Sequence, residues 1–155
     1  MTRFGPLDVR GGTLVLGDDG GSHAALTPEA IILRPFEEAE RRIEWAVIRS
    51  ATVTLPQTRL RRPGLLTTVA IGTLAALLGD WGIGSDPREG ELTLELRDGD
   101  GETVRTAVTC HHVGGYWVGS VRATSALLTR LVVSPESRGL LENPERVVAV
   151  LSGRE

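Results

Sequence analysis

The sequence predicts an α+β fold, mainly antiparallel β, shaped as a small barrel or sandwich, with helices at its C-terminal end and one apolar helix inserted at about residues 63–79. Three observations predict it. Short runs with alternating apolar and polar residues recur between Thr13 and Thr109, separated by turns rich in Gly and Asp. From Ser120 the apolar residues take helical spacing, and Ser134-Pro135-Glu136 and Asn143-Pro144-Glu145 follow as helix starts. Inside the first of these regions, the stretch from Pro63 to Gly79 contains none of the chain's 17 arginines or 20 acids.

The elements follow in order. Residues 1–12 carry Gly5, Pro6, Gly11 and Gly12 and read as an N-terminal arm leading into one domain, residues 13–155. Thr13-Leu-Val-Leu-Gly17 is the first strand. Asp18-Asp19-Gly20-Gly21-Ser22 supplies residues that tolerate positive φ for a hairpin turn, and Ala24 to Leu26 return. Thr27-Pro28-Glu29 turns again into Ala30-Ile-Ile-Leu-Arg34, rich in the β-branched and apolar residues that strands favour. Past the charged residues 37–42, Ile43-Glu-Trp45-Ala-Val-Ile48 and Ala51-Thr-Val-Thr-Leu55 both alternate. Ile43, Trp45 and Val47 would share one face, and Ala51, Val53 and Leu55 another. Glu91–Arg97 and Thr103–Thr109 alternate on either side of Asp98-Gly-Asp-Gly101, the clearest hairpin in the chain. Val121, Leu128, Leu131 and Val132 then mark a helix to Val133, and residues 134–152 extend it with two short helices that begin with a capping residue, Pro and Glu.

Bulk composition narrows function more than it identifies it. The net charge is −3, and the only dense basic cluster is the short one of Arg59, Arg61 and Arg62, so no basic stripe for nucleic acid is evident. Cys110 is the one cysteine, which leaves no intrachain disulfide. The N-terminal residues show no apolar stretch of the kind a secretory signal needs. A cytoplasmic protein, with association at a membrane as an option, is the expectation.

Leu26-Thr-Pro-Glu-Ala-Ile-Ile-Leu, a turn and a strand, followed by Ile43-Glu-Trp45-Ala-Val-Ile48, together with six or seven short strands and a helix after them, resembles the pleckstrin-homology-like superfamily and its bacterial members. The resemblance covers residues 13–133 by element order. Residues 57–90 would be an insertion and 134–152 an extension beyond the usual last helix. It implies a scaffold for binding lipids, peptides or proteins, and it carries over no site residue.

The uncharged run is the anomaly. As a helix of about 16 residues it would be apolar around most of its circumference and about 24 Å long, short of the roughly 30 Å hydrocarbon core of a bilayer. Gly64, Thr68, Gly72 and Ala76 stand four apart, a ridge of small side chains that another backbone could approach, with Trp81 just beyond. Three readings stay open: a core helix, an interface with a second copy or a protein partner, and insertion into lipid.

Other candidate chemistry is thinner. Cys110-His111-His112 offers nucleophile and metal-ligand types, but in an extended strand only Cys110 and His112 share a face, whereas zinc takes three or four ligands, so His23 and a carboxylate would have to join them. Asp98, Asp100 and Glu102 lack the spacing of a calcium loop. The glycines of residues 79–84 have no Lys and no helix start to hold phosphate. Tyr116 and Trp117, beside Gly114-Gly115, are either a ligand surface or the anchor of the final helix on the sheet. The expectation is a non-enzymatic binding or assembly module without a cofactor, self-associating or docking a protein partner through residues 63–84. Its alternatives are a peripheral membrane protein using the same segment and a metal-dependent enzyme using Cys110 and His112.

Overall fold

A computed structural model describes residues 2–59, 89–97 and 100–153. Eleven strands in antiparallel sheets and one parallel pair come first among them, and helices close the chain. The strands are β1 Arg3–Phe4, β2 Leu7–Arg10, β3 Thr13–Leu16, β4 His23–Leu26, β5 Ala30–Arg34, β6 Arg41–Glu44, β7 Ile48–Thr54, β8 Gln57–Thr58, β9 Glu89–Leu96, β10 Thr103–Thr109 and β11 Tyr116–Trp117. Strands β1 to β6 form one sheet in sequence order, a meander of hairpins, while β10, β9 and β7 form a second sheet and β11 pairs with β8 in parallel. Among the described residues the strands do not close into a barrel.

The N-terminal residues are not an arm. Gly11 and Gly12, at φ +55° and +75°, make the two-residue turn that sets Arg10 opposite Thr13, and Gly5, at φ +56°, turns β1 onto β2. The glycines that read as looseness are the hairpin turns of an ordered edge, and Leu7 on β2 is completely buried.

The expected strand from Ile43 to Ile48 is also interrupted. Its chain leaves the first sheet after Glu44, makes a 3-10 turn over Trp45–Val47, and enters the second sheet at Ile48. Trp45, 1% exposed, pins this crossing: its indole Nε1 donates to the Thr27 carbonyl at 2.7 Å and its backbone N–H donates to Glu29 at 3.2 Å. From the far side, the Arg97 N–H donates to the Val47 carbonyl at 2.7 Å. The hairpin β9–β10 forms as its alternation predicts, with Leu92, Leu94, Val104 and Val108 turned inward.

Helix α1 spans Val118–Val133 and lies against β7, burying Val121, Leu127, Leu128, Leu131 and Val132. A 3-10 helix over Pro135–Glu142 and helix α2, Pro144–Leu151, follow. Asn143 caps α2, its side chain accepting from the Arg146 N–H at 3.2 Å, whereas Ser134 makes no side-chain cap. Arg138 closes the opposite end of α1: its guanidinium donates to the Leu131 carbonyl at 2.9 Å and the Val132 carbonyl at 3.3 Å, and lies 6.0 Å from the Trp45 ring centre. One core therefore joins both sheets and all three helical pieces, with Leu7, Leu16, Ile31, Trp45, Leu94, Leu128 and Val148 among its members. Among the described residues no helix is long and apolar enough to cross a membrane.

Candidate functional site

The Cys110-His111-His112 triplet lies past the end of β10, where Gly114 and Gly115, at φ +105° and +76°, turn the chain back onto itself. That reversal returns Tyr116 to the triplet. The Tyr116 hydroxyl accepts the His111 backbone N–H at 2.9 Å and shares a 2.7 Å hydrogen bond with the His111 Nδ1. The His112 Nε2 donates to the Gly115 carbonyl at 3.1 Å, and both imidazoles stand edge-on to the phenol. Cys110 is 2% exposed.

Burial sets the electrostatics of this knot. Desolvation first, and then the nearby Arg3 guanidinium, push His111 down from 6.5 to about 4. Desolvation also pushes the Tyr116 phenol above its usual 10. At neutral pH both rings are therefore uncharged. His111 Nε2 is buried and has no hydrogen-bond partner among the described residues. Tyr116, half of the aromatic ligand surface read from the sequence, is 2% exposed with its hydroxyl committed, while Trp117 is partly exposed. Both residues join the frame instead: β11 pairs with β8, and the Tyr116 N–H donates to the Pro56 carbonyl at 2.8 Å, seating the start of α1.

His23 does not complete a metal set. Its Nδ1 lies 2.8 Å from the Gly21 carbonyl, and among the described residues no three His, Cys, Asp or Glu side chains stand where they could hold a metal ion. Its ring instead lines a trough of about 280 Å³ on the outer face of the meander, floored by Val15, Ala25 and Ile32 and edged by Arg10 and Arg34. Beside it Asp8 is 1% exposed, although it points to the outer face. Arg10 Nε at 2.9 Å and Arg3 Nη2 at 3.4 Å meet its carboxylate, and Arg10 reaches on to Asp19 at 3.5 Å. This ion-pair chain went unread in the sequence, because a lone Asp in a Gly-rich segment carries no pattern.

Of the remaining candidates, Gly64, Thr68, Gly72, Ala76 and Trp81 lie outside the described residues, as do Arg61, Arg62, Asp98 and the glycines of 79–84. Glu102, from the acidic turn, pairs with Arg41 at 3.2 Å. The described flanks of residues 60–88 are anchored at one end of the second sheet: Thr54 pairs with Glu91, and β8 is bonded to β11. Gly90 is required there, since a Cβ would collide with Leu55 and the Thr54 carbonyl.

Comparison with protein-family models, with curated proteins and with solved structures finds no match for this chain.

Proposed function

We propose that the chain is a non-enzymatic binding or assembly module of pleckstrin-homology-like arrangement that self-associates or docks a protein partner through residues 63–84. The observation that carries this reading is the run without charge from Pro63 to Gly79, set in a chain otherwise dense in Arg, Asp and Glu. A helix-length apolar stretch needs apolar surroundings, and a second copy or a partner supplies them. Two features of the frame support it. The described residues on either side of the segment are held in strands, Gln57–Thr58 against Tyr116–Trp117 and Glu91 against Thr54. In the Cys110–Tyr116 knot the Tyr116 hydroxyl, the His111 Nδ1 and the His112 Nε2 are engaged in hydrogen bonds that hold the turn together. The order of antiparallel strands followed by a helix laid across them supports the pleckstrin-homology-like arrangement.

Light scattering across micromolar concentrations tests the proposal. The wild-type chain is expected to show a mass above that of a monomer, or to acquire one with its partner, and Gly72→Asp, which places a charge in the ridge, is expected to weaken association at least tenfold. A monomeric wild-type chain that floats with liposomes of anionic phospholipid would move the segment's partner from protein to lipid and overturn the proposal.

A further inference from the structure

The two sheets are stitched together by backbone hydrogen bonds at Thr109 and tied again, at the far end of β10, by the Arg41–Glu102 ion pair at 3.2 Å. At the stitch, Thr109 donates its N–H to the Ser22 carbonyl at 2.7 Å, and its own carbonyl accepts from Asp18 at 2.8 Å. The Ser22 N–H adds a bond to the Thr109 hydroxyl at 3.0 Å. Between the two ties a groove of about 280 Å³ separates β10 from the β5–β6 turn, walled by Leu33, Pro35, Phe36 and Val104. Phe36 is 63% exposed at its mouth.

Among the described residues the edge of β10 that faces away from β9 pairs with no other strand. Leu96 donates to Glu102 at 2.9 Å, so by antiparallel alternation Val104, Thr106 and Val108 turn their backbone groups to β9, and Thr103, Arg105 and Ala107 turn theirs away. The stitch at Thr109 obeys the same alternation. An open strand edge of this kind is a template for another strand.

From this edge we propose that β10 pairs antiparallel with β10 of a second copy, joining the two three-stranded sheets into one of six strands, through a surface distinct from residues 63–84. Charge complementarity selects both the occupant and the register. Glu95 and Arg105 are exposed and have no ion-pair partner among the described residues. Glu95 lies opposite Thr103 across β9–β10. With the two-fold axis at Val104, Thr103 of each copy faces Arg105 of the other, and the guanidinium crosses Thr103 to reach Glu95. Two strand spacings, about 10 Å between Cα atoms, is a span that the two long side chains can cover together. An axis at Arg105 would set two guanidiniums face to face. An axis at Thr106 would need the edge of Thr109, which Ser22 and Asp18 already occupy. In the remaining register, Thr103 and Arg105 of the two copies exchange four backbone hydrogen bonds.

Sedimentation equilibrium and amide exchange on the full chain test the proposal. The wild-type chain is expected to dimerise, with the Arg105 amide exchanging more slowly as concentration rises. Arg105→Glu is expected to weaken dimerisation about tenfold, and Glu95→Arg added to it to recover most of that loss. Thr103→Pro removes an outward N–H at the first residue of a strand, where Pro is tolerated, together with an exposed 3.4 Å hydroxyl bond to the Gly101 carbonyl, and is expected to abolish the dimer while leaving the circular dichroism unchanged. Self-association with no response to Arg105→Glu and a concentration-independent Arg105 amide overturns this interface and leaves the 63–84 reading standing. A strict monomer overturns it as well, and so does an Arg105 amide protected at every dilution, the sign of another segment in the groove.

Discussion

Two polar knots close the N-terminal edge of the meander and the turn before α1, and they are held in opposite ways. Around Asp8 charge is met by charge: a carboxylate with 1% exposure is flanked by two arginines whose side chains remain about a third exposed. Around Tyr116 no ion pair forms among the described residues, and burial, with the Arg3 guanidinium nearby, drives the His111 ring to the neutral form so that hydrogen bonds hold it. The difference shows what each kind of side chain permits. Arg can bury its stem and leave part of its head in water, so it can escort a carboxylate inward. Imidazole and phenol are compact and can be buried whole only without charge.

Removing one member from each knot should separate the two arrangements. Asp8→Ala removes the carboxylate that two guanidiniums meet, one of them through a buried Nε, and the largest loss is expected there. Breaking a wholly buried pair costs roughly 3–5 kcal/mol, and the partial exposure of both arginines lowers that to about 2–3 kcal/mol, read as a drop in the urea midpoint. A loss under about 0.5 kcal/mol would show that water replaces the carboxylate. Tyr116→Phe keeps the ring and deletes the hydroxyl that serves both the His111 backbone and its Nδ1, so about 1–2 kcal/mol should be lost by the same measurement. If it proves neutral, the hydroxyl is not what holds the turn.

The smallest effect is a pH slope. His111 titrates near 4 in the folded chain against 6.5 when unfolded, so between those values the unfolded chain binds more protons. Stability should therefore fall as pH drops from about 6.5 to about 4, with no contribution from this group at neutral pH. His111→Gln should remove that part of the slope; an unchanged slope would assign the acid sensitivity to the carboxylates.

How much of this was legible in the sequence depended on whether the causes were local. The β9–β10 hairpin and α1 are readable because each is long enough to show its own period, with Leu92 and Leu94 alternating and Leu128, Leu131 and Val132 on one helical face. Strands β1 and β2 are too short to show a period, so their glycine turns passed for an arm. The inward side of Trp45 was evident, but the 3-10 turn that carries it between sheets is fixed by acceptors at Thr27 and Glu29, distant in the chain. The Tyr116 knot was hidden for a related reason, since strand geometry separates neighbouring side chains and only the positive φ of Gly114 and Gly115 folds the hydroxyl back. Arg138 gave no sign of its role because helix-end carbonyls leave no mark in sequence.

The parallel pairing of β8 with β11 also orders events in time. Every contact in the meander joins neighbouring strands, so its hairpins can form locally and fast, whereas Gln57 must find Tyr116 from across much of the chain. The entropy of closing that long loop comes due before any of the contacts of α1 with β7 can repay it. Docking of the C-terminal helices is thus a late event of folding, and until it happens the inner face of the second sheet stays open to water and to other chains.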